Sequence, residues 1–267
     1  MGSRVGTSPS AAMHTAMLAA CGLEGTYELR VVGEGELPAF VAELRSGRYD
    51  GCNVTMPHKL RIAAMCDALR GDAALLDAVN TVVVEAGSII GDNTDARGFE
   101  AALRVQRMTP TNDGTALVMG AGGAAAAVTL ALQRMSIDRV LIAARRREQV
   151  EAIASRLPAL DVVPLPWDAP AVAEAAASVA VVVNATPLDA AELPLDLRYV
   201  PSSCTVADVR YRPRPIALVE QARALGLPAC DGLEMLLQQG LLSFSMWTGA
   251  AAPEPAARTA LLAAIHA

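Results

Sequence analysis

The chain has 267 residues, 53% hydrophobic and 19% charged, which is enough apolar material for one large or two medium domains and excludes a disordered chain. Its net charge of −6 argues against a nucleic-acid surface and leaves room for a small anionic ligand. Five scattered cysteines and three unclustered histidines lead us to expect reduced thiols and no metal, and the lack of a signal-type or membrane-length apolar run leads us to expect a cytoplasmic protein.

The opening MGSRVGTSPSAAMHTAMLAACG reads as a Gly/Ser/Pro turn entering an Ala-, Met- and Leu-rich helix that Ser10 can cap. Ser8 and Ser10 stand two apart at a helix start, where free amides and the dipole favour an anion such as a substrate carboxylate; helix capping is the equally weighted alternative. A strand is expected over Thr26 to Val32, a helix over Leu37 to Arg45 and a strand over Asp50 to Thr55, giving β-α-β order. The turn NVTMPHK then brings Lys59 out after Pro57, which fixes the backbone. Helices over Lys59 to Leu69 and Gly71 to Leu76 follow, then a hairpin of Asn80 to Glu85 and Ser88 to Ile90 around Ala86-Gly87.

Lysine is the side chain whose charge burial most readily removes, and a neighbouring aspartate can restore or shuttle it. Lys59 and the Asp95 of GDNTDARGF would therefore make a proton-transfer pair if they face one substrate. Taken singly, Lys59 is more often a solvated turn residue and Asp95 part of a helix cap, and Asn80 alone reads as a strand start rather than a donor to a substrate hydroxyl.

A helix to Arg107 leads into the polar TPTNDG segment, the expected domain boundary. The strand Thr115 to Met119 runs into GAGGAAAAVTLAL, a G-x-G-x-x-A pattern in which Gly120, Ala121, Gly122, Gly123 and Ala124 form the turn and helix start that can hold a pyrophosphate. The next strand, Val140 to Ala144, ends at Arg145, Arg146 and Arg147. Arginine at that place accommodates the 2′-phosphate of NADP, whereas an acidic residue would accept the ribose of NAD; Glu148 just beyond keeps NAD possible. Helices near Glu148 to Arg156 and Ala169 to Ala176 alternate with strands near Asp161 to Pro164 and Val179 to Asn184. The loop Asn184, Ala185, Thr186, Pro187 follows the last of these at a strand C-terminus, the edge that lines a cofactor crevice. A strand Thr205 to Val209, Tyr211-Arg212-Pro213, a helix Ile216 to Leu225, a short strand Pro228 to Cys230, the apolar helix after Gly232 and a last helix from Ala256 to His266 complete the chain. The fold class is α/β with two domains: residues 1–100 completed by 236–267, and a Rossmann-like domain over 101–235.

In their order along nearly the whole chain, these segments resemble the shikimate dehydrogenase family. The Ser8/Ser10 loop before Met13-His14, NVTMPHK, the Asn80 VNT, the Asp95 NTD, GAGGAAAAV, NATPL, DVRYRP and DGLEMLLQQ are each similar to a segment of that family. The resemblance implies NADP-linked interconversion of 3-dehydroshikimate and shikimate in aromatic amino acid biosynthesis. It assigns Lys59 and Asp95 to catalysis, and Ser8, Ser10, Thr55, Asn80, Tyr211 and Gln239 to substrate. The first 100 residues become the substrate domain, and Val209 and Gly232 join the cofactor residues of the second. A monomer or homodimer is expected, with no nucleic-acid or membrane partner. The chain departs from the family pattern at Ala11 for Pro, Thr15 for Asn, Ala144 for Asn and Asp189-Ala190 for Gly-Met, and only Met1 to Gly6 stand before the serines where the family has a full strand. Two other readings fit the motifs: a relative acting on quinate or an amino-shikimate, and a non-catalytic ligand sensor. Ser10, where quinate-type relatives often have threonine, leans towards shikimate, and the Lys59/Asp95 pair argues against a sensor.

Overall fold

The computed structural model describes residues 1–3, 5–6, 8–110 and 114–266. The chain divides into two compact units, Met1–Gly98 with Leu236–Ala267, and Phe99–Met235. The division falls within the helix that follows Asp95, ahead of TPTNDG, whose residues 111–113 lie outside the described residues.

In the first unit, α1 (Ser10–Ala20) and α2 (Leu37–Arg45) precede the strand β1 (Gly51–Asn53) and α3 (Lys59–Ala63). Then come β2 (Ala68–Leu69), α4 (Asp72–Leu76), β3 (Thr81–Glu85), β4 (Ser88–Asp92) and α5 (Asp95–Val105). The sheet runs in the order β1-β3-β4-β2, with β3 antiparallel to both β1 and β4 and β2 parallel to β4. Its core gathers Leu37, Phe40 and Leu44 from α2 with Val54, Ile62, Val82 and Ile89. These are the apolar face of α2, Ile62 of α3, Val54 just beyond β1, and the inward residues Val82 and Ile89 of a half-buried sheet.

Three expectations are corrected here. The expected strand Thr26 to Val32 makes one isolated parallel bridge, Gly2 to Val31; β-branched and aromatic content alone does not make a strand without a ladder to join. The helix from Lys59 ends at Ala63, because the Asp67 amide donates to the Ile89 carbonyl at 2.8 Å and draws the chain into the sheet as β2. The N-cap of α1 is Pro9, with no side-chain cap, and the Ser8 hydroxyl accepts from the Ser10 amide at 3.3 Å.

The second unit holds β5 (Thr115–Met119), α6 (Gly123–Arg134), β6 (Arg139–Ala143), α7 (Arg147–Arg156), β7 (Asp161–Leu165) and α8 (Ala169–Ala176). They are followed by β8 (Val181–Asn184), β9 (Thr205–Asp208), α9 (Ala217–Ala224) and β10 (Ala229–Cys230). Its six strands are all parallel, in the order β10-β9-β8-β5-β6-β7. Counted from β5 this is the doubly wound order 3-2-1-4-5-6 of a Rossmann sheet, whose order reverses between β5 and β8. Leu117, Met119, Val182 and Val206 from the central strands are fully buried, as expected of strands covered on both faces. Two helices end the chain: α10 (Leu233–Thr248), which passes from the second unit into the first, and α11 (Glu254–His266).

Candidate active site

Lys59 is the first residue of α3. The His58 amide donates to the Thr55 carbonyl at 3.0 Å, and the buried His58 ring meets the Val32 carbonyl at 2.7 Å through Nε2. The residue before the lysine is thus anchored by backbone and side chain. Asp95 opens α5, its amide donating to Asn93 Oδ1 at 3.0 Å, so its carboxylate stands in the first turn where the helix dipole favours a negative charge. Lys59 Nζ donates to Asp95 Oδ2 at 2.5 Å, and the two side chains are 14% and 8% exposed. The second carboxylate oxygen, Oδ1, accepts from Asn80 Nδ2 at 2.8 Å.

Asn80 is itself held on every side. Its Oδ1 accepts from the Thr94 amide at 2.8 Å and the Thr81 hydroxyl at 2.8 Å, and its Nδ2 also approaches Thr94 Oγ1 at 2.9 Å and Gln239 Oε1 at 3.3 Å. Its side chain sets the position of Asp95. Gln239 Nε2 donates to the Leu236 carbonyl at 2.7 Å, fixing that amide on α10. The close approach of α5 to α10 requires Gly98, where a Cβ would lie 2.7 Å from Gln239 Cβ.

Sequence reading missed several partners. The Ser243 hydroxyl, fully buried one turn beyond Gln239, lies 2.8 Å from Thr81 Oγ1 and accepts from Asn53 Nδ2 at 3.0 Å. Its signal was a polar residue at i+4 from Gln239 on an apolar helix. Asp92 accepts from the Asn93 amide at 2.6 Å and from Arg97 at 2.9 Å, bracing the turn that carries Asp95. Ser8 Oγ donates to Ser10 Oγ at 3.0 Å, so these two hydroxyls do stand together, and Thr55 is exposed. Tyr211 is half-buried and belongs to the second unit.

In the second unit the expected cofactor residues stand at the C-terminal ends of the parallel strands, Gly120 to Ala124 after β5, Arg145 to Arg147 after β6, Asn184 to Pro187 at the end of β8, Val209 after β9 and Gly232 after β10, with the order of the sheet reversing between β5 and β8. Gly120 has φ 101°, and a Cβ there would sit 2.7 Å from Thr186 Cγ2. Gly122 is the N-cap of α6 without a side-chain cap, and a Cβ on it would meet nothing within 4 Å. The turn is therefore tight at one glycine and open at the other, with the first amides of α6 uncapped, the cradle that a pyrophosphate needs. Asn184 shapes the neighbouring loop: its Oδ1 accepts from the Thr186 amide and hydroxyl at 3.0 and 2.7 Å, and its Nδ2 donates to Asp208 at 3.0 Å. A Cβ on Gly232 would lie 2.0 Å from the Val209 carbonyl oxygen, so these two residues touch. Of the three arginines, Arg145 lies over the Trp167 ring at 5.7 Å and Arg147 pairs with Glu151 at 2.8 Å within α7. Arg146 is the exposed N-cap residue of that helix.

A buried lysine–carboxylate pair in one unit and a glycine-cradled doubly wound sheet in the other define a dinucleotide-linked dehydrogenase. The family model of the shikimate dehydrogenase substrate-binding domain matches residues 1–82, and that of the shikimate 5'-dehydrogenase C-terminal domain matches residues 232–262. A shikimate dehydrogenase (NADP(+)) of Methylobacterium radiotolerans is 40% identical over 93% of this chain and 90% of its own length. Shikimate 5-dehydrogenase from Thermus thermophilus, solved with NADP(H) and shikimate, superposes with a TM-score of 0.86 at 34% identity, covering 98% of this chain and 97% of its own. A quinate dehydrogenase from Corynebacterium glutamicum in complex with NAD gives a TM-score of 0.87 at 28% identity, covering 98% and 96%. The chain belongs to the shikimate dehydrogenase family. Among the described residues no helix is long and apolar enough to cross a membrane. The five cysteines are unpaired, and burial pushes the Cys204 and Cys230 thiols up to about 12.

Proposed function

We propose that this chain reversibly reduces 3-dehydroshikimate to shikimate with NADP, Lys59 moving the proton at the reacting oxygen. The observation that carries the reading is the Lys59–Asp95 contact of 2.5 Å, completed by Asn80. In the reducing direction Lys59 Nζ gives its proton to the carbonyl oxygen as the alkoxide develops; in the oxidising direction it takes the proton from the hydroxyl. Asp95 holds the ammonium in place and stabilises its charge, and Asn80 holds Asp95. When bound, the reduced dinucleotide NADPH would supply the hydride in the reducing direction, and NADP+ would accept it in the oxidising one. Gly120 to Ala124 would hold its pyrophosphate, Arg145 and Arg146 its 2′-phosphate, and Asn184 to Pro187, with Val209 and Gly232, would line its site. Ser8 and Ser10 would bind the substrate carboxylate, and Thr55, Gln239 and Tyr211 its hydroxyls. The reaction is a biosynthetic one of the cytoplasm, carried out by a monomer or homodimer.

The test is initial rates with shikimate and with quinate, each with NADP and with NAD. Shikimate with NADP gives the highest kcat/KM. Higher kcat/KM with quinate moves the chain to the quinate-type relatives, and no turnover of either with intact dinucleotide binding overturns the assignment.

A further inference from the structure

The loop after β8 and the turns after β9 and β10 are tied together at Arg210, a residue that none of the roles above uses. β8 and β9 pair in parallel, with Asn184 beside Asp208 at their C-terminal ends. From there Val209 N–H donates to the Asn184 carbonyl at 3.0 Å, and Gly232 N–H donates to the Arg210 carbonyl at 2.9 Å. The Arg210 side chain turns back towards the strand it follows. Its Nε lies 3.1 and 3.2 Å from the two Asp208 carboxylate oxygens, and its Nη2 donates to Asp208 Oδ2 at 2.8 Å. The same Nη2 reaches Asp189 Oδ1 at 3.4 Å, beyond the far end of the β8 loop.

The bonds of this knot have fixed directions. Thr186 N–H can only donate, so the Asn184 atom facing it is Oδ1, and Nδ2 is left to donate to the Leu188 carbonyl at 3.2 Å and to Asp208 Oδ2 at 3.0 Å. Asp208 therefore meets donors alone: Asn184 Nδ2, the Arg210 amide at 2.9 Å and the Arg210 guanidinium. Its side chain is fully buried, and a carboxylate so placed requires a paired, hydrogen-bonded cation. Arg210 meets the requirement with a planar fork that lysine lacks. Only 12% of its side chain is exposed, and the guanidinium is committed to two carboxylates, so it acts on what those carboxylates hold.

In a doubly wound sheet the dinucleotide lies across the point where the strand order reverses, here between β5 and β8. In the reading proposed above, Gly120 to Ala124 after β5 take the pyrophosphate and Arg145 and Arg146 after β6 the 2′-phosphate, so the adenosine half belongs to β5 and β6. The nicotinamide half then belongs to the ends of β8, β9 and β10, the three that Arg210 ties together. We infer that Arg210 is a positioning residue for the nicotinamide half of the dinucleotide: by bridging Asp208 and Asp189 it holds Asn184 to Pro187, Val209 and Gly232 as one fixed surface. The inference rests on the proposed place of NADP, and in it Arg210 acts through the loops without touching the dinucleotide.

The test measures binding of two ligands to the wild type, Arg210→Met and Arg210→Lys. One is NADPH, followed by its dihydronicotinamide fluorescence; the other is adenosine 2′,5′-bisphosphate, which carries the adenosine half alone. Arg210→Lys keeps a cation beside Asp208, and so decides the question if the methionine variant does not fold. NADPH binding at least about tenfold weaker in Arg210→Met and about threefold weaker in Arg210→Lys, with the bisphosphate within about twofold of wild type, supports the inference, since loops no longer preorganised cost affinity only for the half they hold. NADPH bound as tightly by Arg210→Lys as by the wild type overturns it, and so does parallel loss of both ligands, the result of a merely structural role. A wild type that binds neither ligand overturns the reading of the cofactor site itself.

Discussion

Replacing Lys59 by Met and Asp95 by Asn, singly and together, tests whether the two side chains act as one device. Removing a positioned acid–base group costs about 10²–10⁴ in rate, which is about 2.7–5.4 kcal/mol at 1.36 kcal/mol per decade. Two independent groups would lose about 10⁴–10⁸ together. The geometry says otherwise, since Lys59 Nζ lies 2.5 Å from Asp95 Oδ2 and takes its hydrogen-bond acceptor from this carboxylate. Once the lysine is gone the carboxylate has no proton donor to orient, so the double variant loses no more than the worse single one. The assay is kcat/KM for shikimate oxidation with NADP. Dinucleotide titration and urea unfolding serve as controls, because breaking a pair this buried also destabilises the fold, by about 3 kcal/mol. Losses that multiply in the double variant while the fold and cofactor binding persist would refute the paired mechanism.

Gly122→Ala and Gly120→Ala separate cofactor contact from backbone demand. Alanine at 122 meets no protein atom within 4 Å, so stability changes by less than about 0.5 kcal/mol while NADP affinity, measured by fluorescence titration, falls at least about tenfold as the methyl enters the phosphate position. Alanine at 120, with φ 101° and Thr186 Cγ2 at 2.7 Å, lowers stability by about 1–2 kcal/mol; an unchanged melting temperature would contradict the strain. Ser243→Ala leaves Asn53 and Thr81 without a shared partner and costs about 1–2 kcal/mol in urea unfolding. His14 is buried with neither ring nitrogen hydrogen-bonded, and burial lowers its pKa from 6.5 to about 3. The unfolded chain therefore binds the proton first, and His14 destabilises the fold progressively as pH falls from about 6.5 towards 3, by up to about 5 kcal/mol. His14→Phe, which keeps the stack on Tyr27, removes that part of the acid slope, and an unchanged slope would show that His14 is not its source.

The second unit was largely legible because its signals are local. Short apolar strands, the glycine turn and alternating helices each read from a few adjacent residues, and the parallel order follows from right-handed crossovers. The first unit was less so. Lys59 and Asp95 could be named from their motifs, but the network through which Asn80 ties Asp95 to Thr94, Thr81 and Gln239 could not. Such a network joins residues up to 159 positions apart, and no local period reports it. The missing strand at Thr26 to Val32 has the same origin, since a ladder depends on what lies beside it and propensity speaks only for one chain segment.

The Lys59–Asp95 pair, proposed above as the acid–base device, and its supports come from one unit: Lys59, Asn80, Thr94 and Asp95 from Met1–Gly98, and Gln239 and Ser243 from the returning α10. The hydrogen bonds that orient Asp95 are therefore made without any residue of the dinucleotide sheet. On the proposed roles, a change in the loop after β6, such as Ala144→Asn, acts on dinucleotide affinity and preference while leaving the Lys59–Asp95 geometry intact. Ala144→Asn should thus change KM for NADP, with the pH profile of kcat unmoved. A shifted kcat profile would mean that the cofactor loops also set the state of the Lys59–Asp95 pair, and that its geometry is not complete within its own unit.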